Sequence, residues 1–138
     1  MADVLKLTVP GKAEYVRAVR MTAATVASGC GFDIDQIEDI KVAISEACTN
    51  IVLHGGPEPV DYEVVFEVGE DTLSITVEDR GEGYDVEGYV EPVPGEIQEG
   101  GGLGIFIIRA LMDEVDIRSE VGAGTFICMK KRLLAQAV

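Results

Sequence analysis

Residues 33–57, DIDQIEDIKVAISEACTNIVLHGGP, decide the fold. Ile37, Ile40, Ile44, Ala47, Cys48 and Ile51 recur every three or four residues, the spacing that lines one face of an α-helix. Asp33 or Asp35 can cap the start and Gly55-Gly56-Pro57 ends the pattern, which predicts a helix from Asp35 to His54. Upstream, Tyr15, Val16, Val19, Ala23, Val26 and Ala27 form a second helical stripe, with Arg17 and Arg20 off it and Gly29 and Gly31 at its end. Ahead of that stripe, Leu5, Leu7 and Val9 alternate with Lys6 and Thr8, as in a half-buried strand that Pro10-Gly11 stops.

Downstream, Tyr62, Val64, Phe66 and Val68 alternate with Glu63, Val65 and Glu67; after a turn at Gly69 to Asp71 the alternation resumes in Leu73, Ile75 and Val77, which reads as an antiparallel hairpin. Residues 103–112 are dense in Ile, Phe, Leu and Met and suit a short buried helix. Val115 and Ile117 belong to a further strand, Glu120 to Gly124 to a turn, and Thr125 to Leu133 to the last strand. The order strand, helix, helix, strand, strand, glycine-rich segment, helix, strand, strand predicts an α+β two-layer sandwich, a mixed and mostly antiparallel sheet with three helices on one face. Without βαβ units, the glycines between Asp79 and Gly104 do not read as a dinucleotide fingerprint. The 138 residues are taken as one domain, 1–138.

Eleven Lys and Arg stand against 25 Asp and Glu, a formal charge of −14 that repels a phosphate backbone and argues against a direct nucleic-acid partner. No apolar run approaches the ~18 residues that would cross a bilayer, and Met1 to Thr8 carries Asp3 and Lys6 without the apolar stretch of an export signal. A cytoplasmic protein without a membrane partner is expected. Cys30, Cys48 and Cys128 are odd in number and far apart, and are read as reduced and mostly buried.

Four short motifs could carry chemistry. Glu46 and Asn50, four apart on the predicted helix, project from the same side: a carboxylate that can take a proton beside a neutral oxygen that can join a Mg2+ shell, or simply a solvated face. Asp79-Arg80-Gly81-Glu82-Gly83 follows a strand, where aspartate can accept from an exocyclic amine and the glycines admit a flat base, or where an acidic turn merely ends the hairpin. Gly100-Gly101-Gly102-Leu103-Gly104 opens a helix whose free N–H groups can take phosphate, or is a hinge. Gly122-Ala123-Gly124-Thr125 enters the last strand with a hydroxyl that can meet a ligand or close a turn.

In this order the four motifs form a rarer set, which resembles the N, G1 and G2 boxes of the GHKL (Bergerat-fold) ATPases over nearly the whole chain. SEACTNIVLHG at 45–55, EDRGEGYD at 78–85 and EGGGLGIFIIRALMDEV at 99–115 resemble more closely the bacterial anti-sigma-factor serine kinases of the RsbW and SpoIIAB type. The resemblance implies an ATP site under a lid at about 84–101, with Glu46 as general base toward a partner serine and Asn50 holding Mg2+ against the phosphates. It implies that Asp79 accepts the adenine amino group, that Gly81, Gly83 and Thr125 shape the base pocket, and that Gly102, Leu103 and Gly104 bind phosphate. His54 becomes a helix-end residue near the phosphates. The acidic segment from Glu82 to Glu99 leaves Mg2+, main-chain N–H groups or Arg109 to offset the triphosphate charge.

The partners implied are a sigma factor, which such kinases silence, and a STAS-type anti-anti-sigma protein, which they phosphorylate, with a homodimer as the assembly. Two other readings stay open: a partner-binding module in which nucleotide only orders the lid or is lost, and a switch kinase acting on a STAS scaffold. The presence of both Glu46 and Asn50 favours the enzyme, because a binding module needs neither a base nor a Mg2+ ligand.

Overall fold

A computed structural model describes residues 2–79 and 102–134. The expected lid at 84–101, with Gly81 and Gly83, lies outside the described residues. In chain order the elements are β1 (Asp3–Val9), a short 3-10 turn (Ala13–Tyr15), α1 (Val16–Cys30), α2 (Ile34–His54), β2 (Tyr62–Val68), β3 (Thr72–Asp79), α3 (Gly102–Leu111), β4 (Glu114–Glu120) and β5 (Gly124–Arg132).

Local chemistry sets the helix ends. Gly31 takes φ 94°, a left-handed conformation that glycine adopts without a Cβ clash, and ends α1. Its N–H donates to the Ser28 carbonyl at 3.1 Å while that of Phe32 donates to the Ala27 carbonyl at 3.3 Å, the Schellman pattern with a buried Phe32 beyond it. Of the two candidate caps for α2, Asp33 is the one used. Its Oδ1 accepts from the Gln36 N–H at 2.7 Å, and Gln36 Oε1 accepts from the Asp33 N–H at 3.4 Å, a reciprocal capping box.

The sheet order is β1-β2-β3-β5-β4, and all four pairings are antiparallel, so the described sheet contains no parallel pair. The period-2 alternation sends one set of side chains toward the helices in rows that cross the sheet. Leu5, Phe66, Ile75, Met129 and Val115 make one row, and Leu7, Val64, Val77, Ile127 and Ile117 the next. Helix α2 packs between α1 and α3 over these rows, and Ile40, Ile44, Ala47, Cys48 and Ile51 are fully buried on it. The middle strands are therefore apolar on this face and closed to water.

The strands at the edges differ. Val9 is buried and Leu7 half-buried, but Leu5, expected on the same half-buried face, is 45% exposed because β1 is an edge strand that the helices cover only at one end. All three cysteines are free; Cys48 is buried, and Cys30 and Cys128 are partly buried, Cys30 against the core and Cys128 on the other face of β5. Cys48 meets the Tyr62 hydroxyl across the α2–β2 contact, and burial pushes the thiol up to about 12 and the phenol upward as well. Among the described residues no helix is long and apolar enough to cross a membrane.

Candidate nucleotide-binding and phosphotransfer site

Counting by two from Leu73, Ile75 and Val77 brings Asp79 onto the helix-facing side of the sheet, at the end of a row that begins with Val9 and Tyr62. A row built for apolar side chains thus ends in a carboxylate that is only 5% exposed. Its Oδ1 accepts from the Thr125 backbone N–H at 2.8 Å, a bond between β3 and β5 that fixes the carboxylate's orientation. The Thr125 hydroxyl shares a hydrogen bond of 2.8 Å with that of Ser119, and Ser119 Oγ also donates to the Gly124 carbonyl at 3.1 Å. At the other side the C-terminal end of α2 closes in: a methyl group added at Gly55 would lie 3.6 Å from Asp79 Oδ2. A cavity of about 620 Å³ is lined by Thr8, Tyr62, Glu63, Glu78 and Asp79, and one of about 260 Å³ by Asp79, Ser119 and Thr125 among others.

Glu46 and Asn50 are brought together on α2, on the side toward α3, and this side is not a solvated face. Asn50 is 2% exposed, and neither its Oδ1 nor its Nδ2 has a hydrogen-bond partner among the described residues. An amide buried in that condition is costly, by about 1–3 kcal/mol per orphaned group, and asks for a ligand that completes it. Glu46 is half-buried against the first turn of α3, where a methyl group added at Gly104 would stand 2.9 Å from its Oε2. His54 is the last residue of α2, one turn beyond Asn50.

Gly102, Leu103 and Gly104 are the first residues of α3 and carry N–H groups that a helix leaves without intrahelical partners. Gly104 is buried, and Leu103 is 45% exposed with its side chain away from the core. Beyond Glu46 a groove of about 520 Å³ runs between α1 and α2, lined by Arg17, Arg20, Met21, Lys41, Ser45 and Glu46 among others. Three of the chain's eleven cations thus line a groove with two carboxylates, Glu38 and Glu46, and Lys41 pairs with Glu38 at 3.1 Å.

These residues fit a metal-bound nucleotide. The orphaned Asn50 offers a neutral oxygen, the kind of ligand Mg2+ accepts alongside phosphate and water. Among the described residues no group of three or more His, Cys, Asp or Glu side chains could hold a metal ion by itself, so a cation at Asn50 would take its other oxygens from the phosphates and solvent. The sequence alone does not single out Gly55, Ser119 or the basic groove. In the sequence Gly55 is a helix stop, Ser119 has no motif around it, and Arg17, Arg20 and Lys41 come from two helices whose contact no spacing reveals.

The antiparallel five-stranded sheet, the helices on one face, and the placement of Asp79, Asn50 and the α3 N-terminus define a histidine kinase-like ATPase domain, whose family pattern matches residues 9–131. The chain belongs to that family and, within it, to the RsbW group of serine-protein kinases. It is 38% identical to serine-protein kinase RsbW of Halalkalibacterium halodurans over 139 residues, 95% of this chain and 84% of the relative. It is 42% identical to that of Bacillus cereus over 126 residues, 86% of this chain and 79% of the relative. Among solved structures, the RsbU and RsbW domains of a Mycobacterium tuberculosis protein match at a TM-score of 0.70 and 27% identity over 95% of this chain. This chain spans 32% of that longer protein. The histidine kinase domain of an Erythrobacter litoralis blue-light activated histidine kinase matches at a TM-score of 0.53 and 21% identity, a likeness of fold.

Proposed function

We propose that this chain is an ATP-dependent protein serine kinase and anti-sigma factor. It silences a sigma factor by binding it and phosphorylates a serine of a STAS-type anti-anti-sigma protein, working as a homodimer in the cytoplasm. The names of its relatives support the serine kinase, and the observation that carries the site is Asn50, a buried amide whose two polar atoms have no partner among the described residues, one turn from Glu46. A folded chain keeps such a group where a ligand satisfies it.

Asp79, held by the Thr125 N–H, is the acceptor for the adenine amino group; Gly81, Gly83 and Thr125 belong to the same base pocket. Gly102, Leu103 and Gly104 present N–H groups to the phosphates, and Asn50 holds Mg2+, which when bound offsets phosphate charge. Glu46 takes the serine proton. As the serine oxygen bonds to the γ-phosphorus, the bond to the β-phosphate oxygen breaks, leaving ADP and phosphoserine. The groove of Arg17, Arg20 and Lys41 leads to Glu46 and suits an approaching acidic protein segment.

Calorimetric titration with ATP, with and without Mg2+, tests the nucleotide half of this reading. Wild type should bind in a metal-dependent way and Asn50→Ala should bind at least about tenfold more weakly. Undiminished metal-dependent binding by Asn50→Ala would remove Asn50 from the site, and no binding by wild type would sink the kinase.

A further inference from the structure

We propose that Gly104 is a positioning residue for the Glu46 carboxylate: the missing side chain at this point of α3 is the seat in which the base is held. The inference rests on the reading of Glu46 as the general base.

Gly104 needs no glycine for its backbone. It lies inside α3 and, unlike Gly31, Gly56, Gly122 and Gly124, has no positive φ. Alanine is the better helix former, so a glycine at a helical position calls for a reason of space. The reason is on α2. A methyl group at Gly104 would stand 2.9 Å from Glu46 Oε2, 3.8 Å from its Cβ and 3.9 Å from its Cδ, so the whole flank of the side chain lies against the bare Cα.

Something has to yield if the methyl is added, and α3 is pinned at its far end. Lys131 Nζ, almost wholly buried, donates to the Leu111 carbonyl at 2.5 Å and stands 3.6 Å from Asp39 Oδ2 on α2. The Asp113 N–H donates to the Lys130 carbonyl at 2.9 Å, and Asp113 Oδ2 accepts from the Arg132 N–H at 2.6 Å. Ridge-and-groove contact with α2 holds the rest of α3. The yielding part is therefore the far end of a flexible side chain, the carboxylate itself, which turns away at little expense to the fold. A base displaced by an ångström loses proton transfer, a loss of about 100-fold in favourable cases.

The test is a cycle of Gly104→Ala, Glu46→Asp and the double variant, read by calorimetric binding of Mg-ATP and by the kcat of phosphoryl transfer to the serine substrate. Alanine keeps the main-chain N–H that Gly104 presents to phosphate, so in Gly104→Ala kcat should fall about 10- to 100-fold, well beyond any fall in nucleotide affinity, with the unfolding midpoint unchanged. The shorter Glu46→Asp carboxylate withdraws from the methyl, so the double variant should lose less than the product of the two single losses. Two results would overturn the proposal: nucleotide affinity falling in step with transfer, which makes Gly104 a place for phosphate only, or single losses that multiply. Full transfer by Glu46→Gln would instead remove the base assignment itself, an outcome that Gly104→Ala alone cannot produce.

Discussion

Asn50 is the residue at which stability and function pull apart. Both atoms of its amide are buried without partners among the described residues, so in the ligand-free chain the side chain is a burden on the fold. Asn50→Leu, similar in volume and free of polar atoms, should raise the stability of the ligand-free protein by about 1–3 kcal/mol in urea unfolding while abolishing Mg2+-dependent ATP binding. A variant destabilised in the absence of ligand would mean that the amide is satisfied by the protein and not by a ligand. Asn50 and Glu46 could be picked out from spacing alone, since residues four apart share a side of a helix. That Glu46 lies against α3 could not, because its neighbour there is Gly104, more than fifty residues later. Asp79 was legible as an acid after a strand, and even its inward direction follows from Leu73, Ile75 and Val77. Its partners did not follow, since the Thr125 N–H reaches it through a β3–β5 pairing that skips α3 and β4.

Elements with strong periods were legible, and their margins were set by tertiary surroundings. Helix α2 and the β2–β3 hairpin lie where the alternations put them, because their apolar faces meet a single core from opposite sides. Leu5 departs from its pattern because an edge strand has a neighbour on one side only. The contact of α2 with β2 also carries a pH dependence. Burial, as the largest cause, moves Cys48 from its ordinary 9.0 to about 12, with the Tyr62 hydroxyl opposing, and burial raises Tyr62 in turn. The folded chain holds both protons where the unfolded chain has released them, so the stability they give is complete below about pH 9 and drains away as pH rises toward 12. Urea midpoints should be level from about pH 7 to 8.5 and then fall. Cys48→Ala should lower the whole curve through its lost packing yet flatten the fall above pH 9; a variant curve parallel to the wild type would assign the alkaline loss to other groups.

At the scale of the whole molecule the governing quantity is the charge of −14. A chain of this length folds to a radius of gyration of about 14 Å, so at about 0.01 M salt, where the screening length is about 30 Å, every charge acts on every other. At about 0.15 M the length is about 8 Å and only neighbours interact. Two effects then oppose each other as salt is added. The exposed pairs Lys41–Glu38, Arg118–Asp116 and Arg132–Glu114 weaken, but pairs of this kind contribute under about 1 kcal/mol each and sit at contact distance, where screening is least felt. The repulsion among unpaired carboxylates acts over longer distances and is removed almost entirely. The thermal midpoint should therefore rise by a few degrees between about 0.01 and 0.15 M NaCl, in a range too dilute for salting-out to contribute. A midpoint that falls over the same range would mean that the local pairs outweigh the excess charge. The same repulsion bears on the proposed ligand, because an anionic nucleotide must reach Asp79 and Asn50 through the field that salt screens.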